Sequence, residues 1–284
     1  MLTASLAGVL LHARSSYGDE THFRTSLAEF LLLPNEMEKS EAVRQRNSST
    51  SLKIPRGTIL PIQSATSISL TKTKPGTEIV AKIMQDVPLP VGQKIPKGSE
   101  VHGKVTAISP AGPGAQPEIS FRFDRLLVKR EETTLTTNLR AIAGYVEVEQ
   151  AQIPVQSSGE GEVYDWLPTK QIGGDDVFGQ GGGTVTAWNN PSEVVGRSTY
   201  DGVLGKIRSR DGTVCRGELY GNDMPQALWL FSSDACGVYG LPHVTIAHAG
   251  RNEPLGLIVL RSGDRRLNLS SGTGMLLRVD KIGN

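Results

Sequence analysis

The stretch Ile54-Pro55-Arg56-Gly57-Thr58 returns 41 residues later as Ile95-Pro96-Lys97-Gly98-Ser99. Proline restricts the backbone and glycine relieves crowding where a chain reverses. We therefore expect each copy to be a turn, with proline at its second position, glycine at its fourth and a basic residue at the solvent-facing tip. Strand-forming residues follow both copies, Thr58 to Leu60 after the first and Glu100 to Val105 after the second. The pair predicts two turns that each start a strand.

Further signals between and after these copies occur in a fixed order. Pro75-Gly76 predicts a turn, Asp86-Val87 a strand end, and Gly103 interrupts the strand that follows the second copy. Residues 119–126 then alternate strongly between apolar and polar side chains. This order resembles the barrel domain of the TrbI-like family, the envelope-spanning scaffold component of conjugation and type IV secretion machines. The resemblance covers about residues 53–143, and its specificity comes from the order of the motifs.

The resemblance implies a β-barrel with a structural role, with envelope proteins or further copies of the chain as partners. The family's usual cytoplasmic tail, inner-membrane helix and proline-rich stalk are not recognised in this sequence. Ser109 to Ala115 can only be a loop, so the family's long amphipathic hairpin is also not recognised. We therefore expect a stand-alone copy of the barrel. An unrelated barrel or β-clip domain that reuses similar turns remains the alternative.

Composition excludes several classes of function. The chain has 284 residues, with 30 Lys and Arg against 29 Asp and Glu, so no net field attracts nucleic acid or an anionic membrane. Aromatic residues make up only 5%, too few for the stacking platforms of single-strand binders. The 32 glycines and 16 prolines favour short strands joined by tight turns. We therefore expect an all-β protein that binds no nucleic acid.

The first thirteen residues, Met1 to Ala13, are mostly apolar and resemble the core of a secretory signal peptide. They lack a preceding basic segment and a good cleavage position, so we expect an incomplete signal peptide. So short an apolar stretch cannot span a bilayer, and we expect no transmembrane helix. These residues predict export to the periplasm or the cell surface.

Cys215 and Cys236 are the two cysteines of the chain. In an exported protein such a pair is most simply a disulfide, which stabilises a fold by about 3 kcal/mol. Two buried free thiols are the alternative. Cys215 follows the Asp211-Gly212 hairpin signal, and Cys236 follows the apolar run 227–231, which is typical of a strand covered on both faces. We expect the bond to tie these two neighbouring elements together.

The sequence divides into five segments. We expect a possible signal segment and short helix at 1–33, a linker at 34–52, the TrbI-like β-barrel at 53–149, a Gly/Ser-rich linker at 150–183 and a C-terminal β domain at 184–284. The expected fold is thus all-β, a barrel followed by a second antiparallel β-sandwich or small barrel.

No pattern assembles a catalytic or cofactor site. The glycines at 179–183 lack the spacing and the strand–helix context of a nucleotide loop. Cys236, His243 and His248 could be combined as a metal site or as a nucleophile with its base, but a packed histidine and a disulfide explain them more simply. The basic residues of the first domain are interleaved with acids and predict a solvated face. They are Lys72, Lys74, Arg122, Arg125, Lys129 and Arg130.

We therefore expect a non-enzymatic, exported envelope protein that needs no cofactor or metal and acts by protein–protein contacts. The alternative is a secreted carbohydrate- or surface-binding module carried by the C-terminal domain. Trp188 is the candidate binding aromatic for that alternative, because aromatic faces stack on sugars and Trp229 lies in a run expected to be buried.

Overall fold

Short strands joined by tight turns account for most of the chain that the structure describes, a computed structural model covering residues 52–153, 168–174, 176–178, 184–187, 190–208, 215, 223–251 and 253–282. These residues belong to one unit, Ser51–Asn284. Alternation dictates the strands: Glu78–Ile83 buries Ile79, Ala81 and Ile83, while Glu78 and Lys82 are exposed. The all-β prediction is confirmed.

The elements follow one another in chain order. The first eight strands are β1 (Ile59–Ser64), β2 (Ile68–Ser69), β3 (Glu78–Ile83), β4 (Val87–Pro88), β5 (Lys94–Ile95), β6 (Glu100–Ser109), β7 (Glu118–Val128) and β8 (Glu131–Ala143), with a 3₁₀ turn at Pro90–Gly92. Helix α1 (Tyr145–Ala151) follows. Then come β9 (Pro168–Lys170), β10 (Asp176–Phe178), β11 (Thr184–Ala187), β12 (Asn190–Thr199), β13 (Gly202–Gly205), β14 (Gln226–Trp229), β15 (Gly237–Tyr239), β16 (Val244–Ala249), β17 (Ile258–Ser262), β18 (Asn268–Leu269) and β19 (Gly274–Ile282).

Six of these strands form a closed antiparallel barrel. They pair in the order β8-β19-β1-β3-β6-β7, and pairing of β7 with β8 closes the ring. Inward side chains such as Ile62, Phe121 and Leu277 are fully buried in the largest apolar cluster. Because Gly103 has no side chain, β6 can lie unusually close to β7. A Cβ at Gly103 would lie 1.9 Å from the backbone oxygen of Arg122. The predicted barrel is confirmed as a fold.

Strand direction separates two ends of the barrel. Segments 54–58, 84–99 and 129–130, together with the hairpin tip at 199–202, lie at one end, which we call the turn-motif end. Loops 65–77, 110–117 and 263–273 lie at the other, which we call the loop end. Both copies of the repeated motif are therefore at the same end.

The C-terminal strands depart from the predicted division into two β domains. β19 lies between β1 and β8, and β15, β16 and β17 extend the same sheet along β8 and β7. The physical reason is closure: residues 53–143 supply only five of the six barrel strands, and β19 supplies the sixth. Residues 237–282 therefore complete the barrel sheet and do not form a separate domain.

β9 to β14 form a second antiparallel sheet of six strands in the order β14-β13-β12-β11-β10-β9. A parallel bridge between Ile172 and Phe231 links the chain beyond β9 to the chain beyond β14. β14 lies beside β1, where Gln226 Oε1 accepts a hydrogen bond of 2.9 Å from the Ile59 N–H. Trp229 and Phe231 pack with residues of the barrel wall in a second apolar cluster. The two sheets are thus joined by both apolar and polar contacts.

Candidate functional site

The repeated motifs form two turns of the same type. Thr58 N–H donates to the Pro55 carbonyl at 3.3 Å, and Ser99 N–H donates to that of Pro96 at 3.2 Å. Gly57 and Gly98 have φ of 88° and 85°, which the third position of a type II turn requires. Proline therefore holds the first turn position and glycine the third, one place earlier than expected, because the hydrogen bond closes on the residue after glycine.

Asp86 accepts hydrogen bonds from two lysines at the turn-motif end. Its Oδ2 accepts a hydrogen bond from Lys94 Nζ at 2.5 Å, and its Oδ1 accepts one from the Lys97 backbone N–H at 2.8 Å. Partial burial acts to raise the pKa of Asp86, but these hydrogen bonds and the two lysine charges outweigh it and lower the pKa. The same contact with Asp86 raises the pKa of Lys94. The carboxylate joins the two sides of the β4–β5 hairpin.

Tyr200 lies at a hairpin tip beside the second turn motif. Thr199 and Gly202 pair across β12 and β13, so Tyr200 and Asp201 form the connection between these strands. Lys97 Nζ lies 2.6 Å from Asp201 Oδ1, so the motif lysine expected at a solvent-facing tip is held by a neighbouring carboxylate. The side chain of Tyr200 is 84% exposed. The hairpin presents an aromatic ring to solvent.

Gln85 anchors this hairpin from the barrel side. Its Oε1 accepts a hydrogen bond of 2.6 Å from the Trp229 N–H, and its Nε2 donates to Thr199 Oγ1 at 3.2 Å. Gly202 is needed for this close packing, because a Cβ there would lie 2.5 Å from the Cα of Trp229. Gln85 itself is buried. The backbone that carries Tyr200 is therefore positioned before any partner arrives.

An open depression of about 440 Å³ adjoins the second turn motif. It is lined by Pro96, Lys97, Gly98, Ser99, Glu100, Leu127 and Lys129. Small-molecule sites are usually enclosed, whereas this depression is open and carries three charged side chains beside its apolar surface. The depression is better suited to a protein segment than to a small molecule.

Val91 is a second unusual residue of the turn-motif end. It has φ 58° and ψ 32°, a left-handed conformation that a β-branched residue rarely adopts, and it is 95% exposed. The tight turn between Leu89 and Gln93 imposes this conformation: the Leu89 N–H donates to the Gln93 carbonyl at 2.9 Å. Backbone strain of this kind is concentrated at functional sites.

The barrel wall carries a network of ion pairs between the two ends. Arg125 Nη2 lies 2.7 Å from Glu78 Oε1, and Arg122 Nε lies 2.9 Å from Asp124 Oδ2. Hydrogen bonds from Arg125 and then His102 lower the pKa of Glu78. These charged groups neutralise one another at the surface. The interleaving of acids and bases in the sequence predicts this for Arg122 and Arg125.

The predicted disulfide is present between Cys215 and Cys236, with Cα atoms 6.0 Å apart. Cys215 is fully buried, and its Sγ lies 3.4 Å from the carbonyl oxygen of Arg140 in β8. Arg140, the largest fully buried side chain, donates to the carbonyl oxygens of Arg208 and Ser233. Cys236 leads into β15, which pairs with β8 in parallel. The bond therefore lies beside the barrel wall, while the Asp211-Gly212 signal lies outside the described residues.

The other residues considered for sugar binding, catalysis or metal binding do not form a common site among the residues that the structure describes. Trp188 lies outside the described residues, and Trp229 is buried, as its apolar neighbours predict. Cys236 is held in the disulfide and His243 is exposed before β16, so the structure does not bring them together as a nucleophile and its base. In the described part of the chain no group of three metal-ligating side chains comes together.

Sequence reasoning missed Gln85 and Tyr200. Asp201-Gly202 is a hairpin signal of the same kind as Asp211-Gly212, and it could have located the tip that carries Tyr200. Nothing local identifies Gln85, whose partner Trp229 is 144 residues away.

Comparison with known proteins gives no match to any family model, curated protein or solved structure. The TrbI-like assignment therefore stays a prediction. Among the helices of the described residues, none is both long and apolar enough to cross a membrane.

Proposed function

We propose that this chain is a non-enzymatic structural component of the bacterial cell envelope, acting by protein–protein contacts through its turn-motif end. The observation that carries the proposal is the exposed Tyr200 on a backbone held by Gln85 and by the Lys97–Asp201 ion pair. Tyrosines are enriched at interface hot spots, and a ring on a fixed backbone loses little entropy when it binds.

Two further features of the turn-motif end support a protein partner. The exposed Val91 adds strained apolar surface, and the depression beside Ser99 offers an open, mixed lining. Mixed apolar and charged surfaces are typical of non-obligate protein interfaces. The resemblance to the TrbI-like barrel points the same way, toward a scaffold that holds other envelope proteins.

The disulfide supports a location in an oxidising compartment outside the cytoplasm. Both cysteines of the chain are joined, and disulfides persist in oxidising compartments such as the periplasm and the cell surface. We place the protein in such a compartment, with an envelope protein as its partner at Tyr200.

Photo-cross-linking in the native cells tests the contact. A photoreactive phenylalanine analogue replaces Tyr200 in one variant and Leu255, which is 50% exposed on a different loop, in the matched control. We expect a defined cross-linked species from position 200 in the envelope fraction and none from position 255. Tyr200→Ala should weaken the same complex by about 30-fold, the effect of a 2 kcal/mol hot spot.

Three outcomes would contradict the proposal or change its partner. Equal cross-linking from both positions means that no interface is centred on Tyr200. A product containing only this chain makes the partner a second copy. Glycan binding that is lost in Trp188→Ala, with no protein cross-link, establishes the carbohydrate-binding alternative. Because Tyr200 is exposed, Tyr200→Ala should leave the free energy of unfolding within about 0.5 kcal/mol of wild type.

A further inference from the structure

Two neighbouring loops at the loop end carry four exposed basic side chains, Lys72, Lys74, Arg265 and Arg266. The loops are adjacent because β2 pairs with β18, with Ser69 opposite Asn268. The Leu70 N–H also donates to the Leu267 carbonyl at 3.3 Å. Basic residues 191 or more positions apart in sequence thereby form one surface, which we call the basic loop pair.

No ion pair neutralises the charges of this surface, unlike those of six other basic side chains of the described residues. Lys94, Lys97, Arg122, Arg125, Arg208 and Arg261 all pair with carboxylates. None of the four residues of the basic loop pair forms an ion pair with a carboxylate of the described residues. The nearest acid in sequence, Asp264, faces His243 at 3.9 Å. The basic loop pair therefore keeps a positive charge in a chain with almost no net charge.

The surroundings of the basic loop pair are polar or uncharged. Exposed hydroxyls of Ser67, Thr71 and Ser270 lie on the same or adjoining segments and can donate to phosphate oxygens. The neighbouring loop at the same end, 110–117, consists of exposed Pro, Gly, Ala and Gln before the buried Pro117. Helix α1, which carries Glu147 and Glu149, also lies at this end, where Tyr145 packs beside Gly272.

We propose that the basic loop pair binds the phospholipid headgroups of an anionic bilayer. The four charges are spread over two loops, an arrangement that suits a surface of many phosphates more than one enclosed phosphate. Each Lys or Arg near an anionic membrane contributes about fivefold in binding. The bilayer would then lie opposite the turn-motif end, which leaves that end accessible to a protein. This inference is independent of the protein contact proposed above.

Vesicle co-sedimentation of the full chain tests the inference. We expect binding to vesicles of phosphatidylglycerol and phosphatidylcholine in equal parts, and none to phosphatidylcholine alone. Raising the ionic strength to about 1 M, where the screening length is about 3 Å, should release the protein. The double variants Lys72→Gln/Lys74→Gln and Arg265→Gln/Arg266→Gln should each bind about 25-fold more weakly.

The matched control is Lys129→Gln/Arg130→Gln, which removes the same charge at the turn-motif end. Its binding should stay within about twofold of wild type, because those charges lie a barrel length from the bilayer. Equal loss in the control, or binding unchanged in both loop variants, would overturn the inference. Release by inorganic phosphate but not by chloride of equal ionic strength would also overturn it, in favour of a discrete phosphate site. Thermal melting of each variant separates lost binding from lost fold.

Discussion

The β4–β5 hairpin with the second turn motif and the basic loop pair lie at opposite ends of the barrel and use basic side chains in different ways. At the turn-motif end, Lys94 and Lys97 are held by Asp86 and Asp201 at 2.5 and 2.6 Å. At the loop end, Lys72 and Arg265 extend from adjacent loops without an ion pair to a described carboxylate. Composition alone, with 30 bases against 29 acids, hides this difference.

This difference shows that the role of a lysine depends on whether a carboxylate lies beside it. A lysine held by a carboxylate fixes the backbone, and at the turn-motif end the Lys97–Asp201 pair holds the hairpin that carries the exposed Tyr200. A lysine without such a neighbour is available to anions from outside. One barrel therefore presents a preorganised, ion-paired hairpin at one end and two loops with unneutralised basic side chains at the other.

The largest expected effect comes from the wall that separates the ends. Gly103→Ala places a Cβ 1.9 Å from the Arg122 backbone oxygen, which only a shift of β6 against β7 can relieve. We expect the free energy of unfolding to fall by about 3 kcal/mol or more, measured by urea denaturation. The control is Gly98→Ala at the turn-motif end, where a Cβ meets no atom and only the positive φ is penalised, by about 1 kcal/mol. Equal losses would mean that β6 and β7 are not packed this closely.

The next effect concerns the disulfide, which lies beside the wall toward the loop end. Cys236 leads into β15, and β15 pairs with Ala141 to Ala143, the last three residues of β8. The double variant Cys215→Ser/Cys236→Ser should lose about 3 kcal/mol of unfolding free energy, since the bond closes a loop with a sequence separation of 21. Wild type treated with reductant is the control and should lose a similar amount. Two alkylatable thiols in the exported native protein, detected by mass spectrometry, would contradict the bond.

Local signals explain why part of this fold was predictable. Proline and glycine determine turns within a few residues, and alternation determines strands such as β3, so the all-β class followed from the sequence. Closure of the barrel by β19 depends on pairing between Ile59 and Arg278, which no local pattern encodes. The same holds for Gln85, whose hydrogen bond to Trp229 depends on how the second sheet packs. The pairing of each basic residue is also a property of the assembled barrel.

A smaller effect is expected at the anchor of the turn-motif end. Gln85→Ala leaves the buried Trp229 N–H without its acceptor and removes the bond to Thr199. An unsatisfied buried group costs about 1–3 kcal/mol, and we expect about 2 kcal/mol by urea denaturation. Gln93→Ala is the matched control, because Gln93 Oε1 accepts from the Lys53 N–H at an exposed position, and it should cost less than about 0.5 kcal/mol. If the two variants cost the same, Gln85 does not anchor the Tyr200 hairpin.

The smallest effect is a dependence on pH that should appear at one end only. The pKa of Asp86 is lowered in the folded state from its ordinary value of 3.8, so its contribution to stability is present above that value and is lost as pH falls through the folded-state pKa. Because the Asp86–Lys94 pair is largely exposed, the loss should be a few tenths of a kcal/mol. We expect wild type to lose slightly more stability than Asp86→Asn between pH 5 and 2, measured by thermal melting, since the amide cannot be protonated in this range. Lys72→Gln/Lys74→Gln leaves Asp86 and its partners intact, so the stability of this variant should follow the wild-type curve in shape. A wild-type curve parallel to that of Asp86→Asn would show that Asp86 does not stabilise the turn-motif end through its charge.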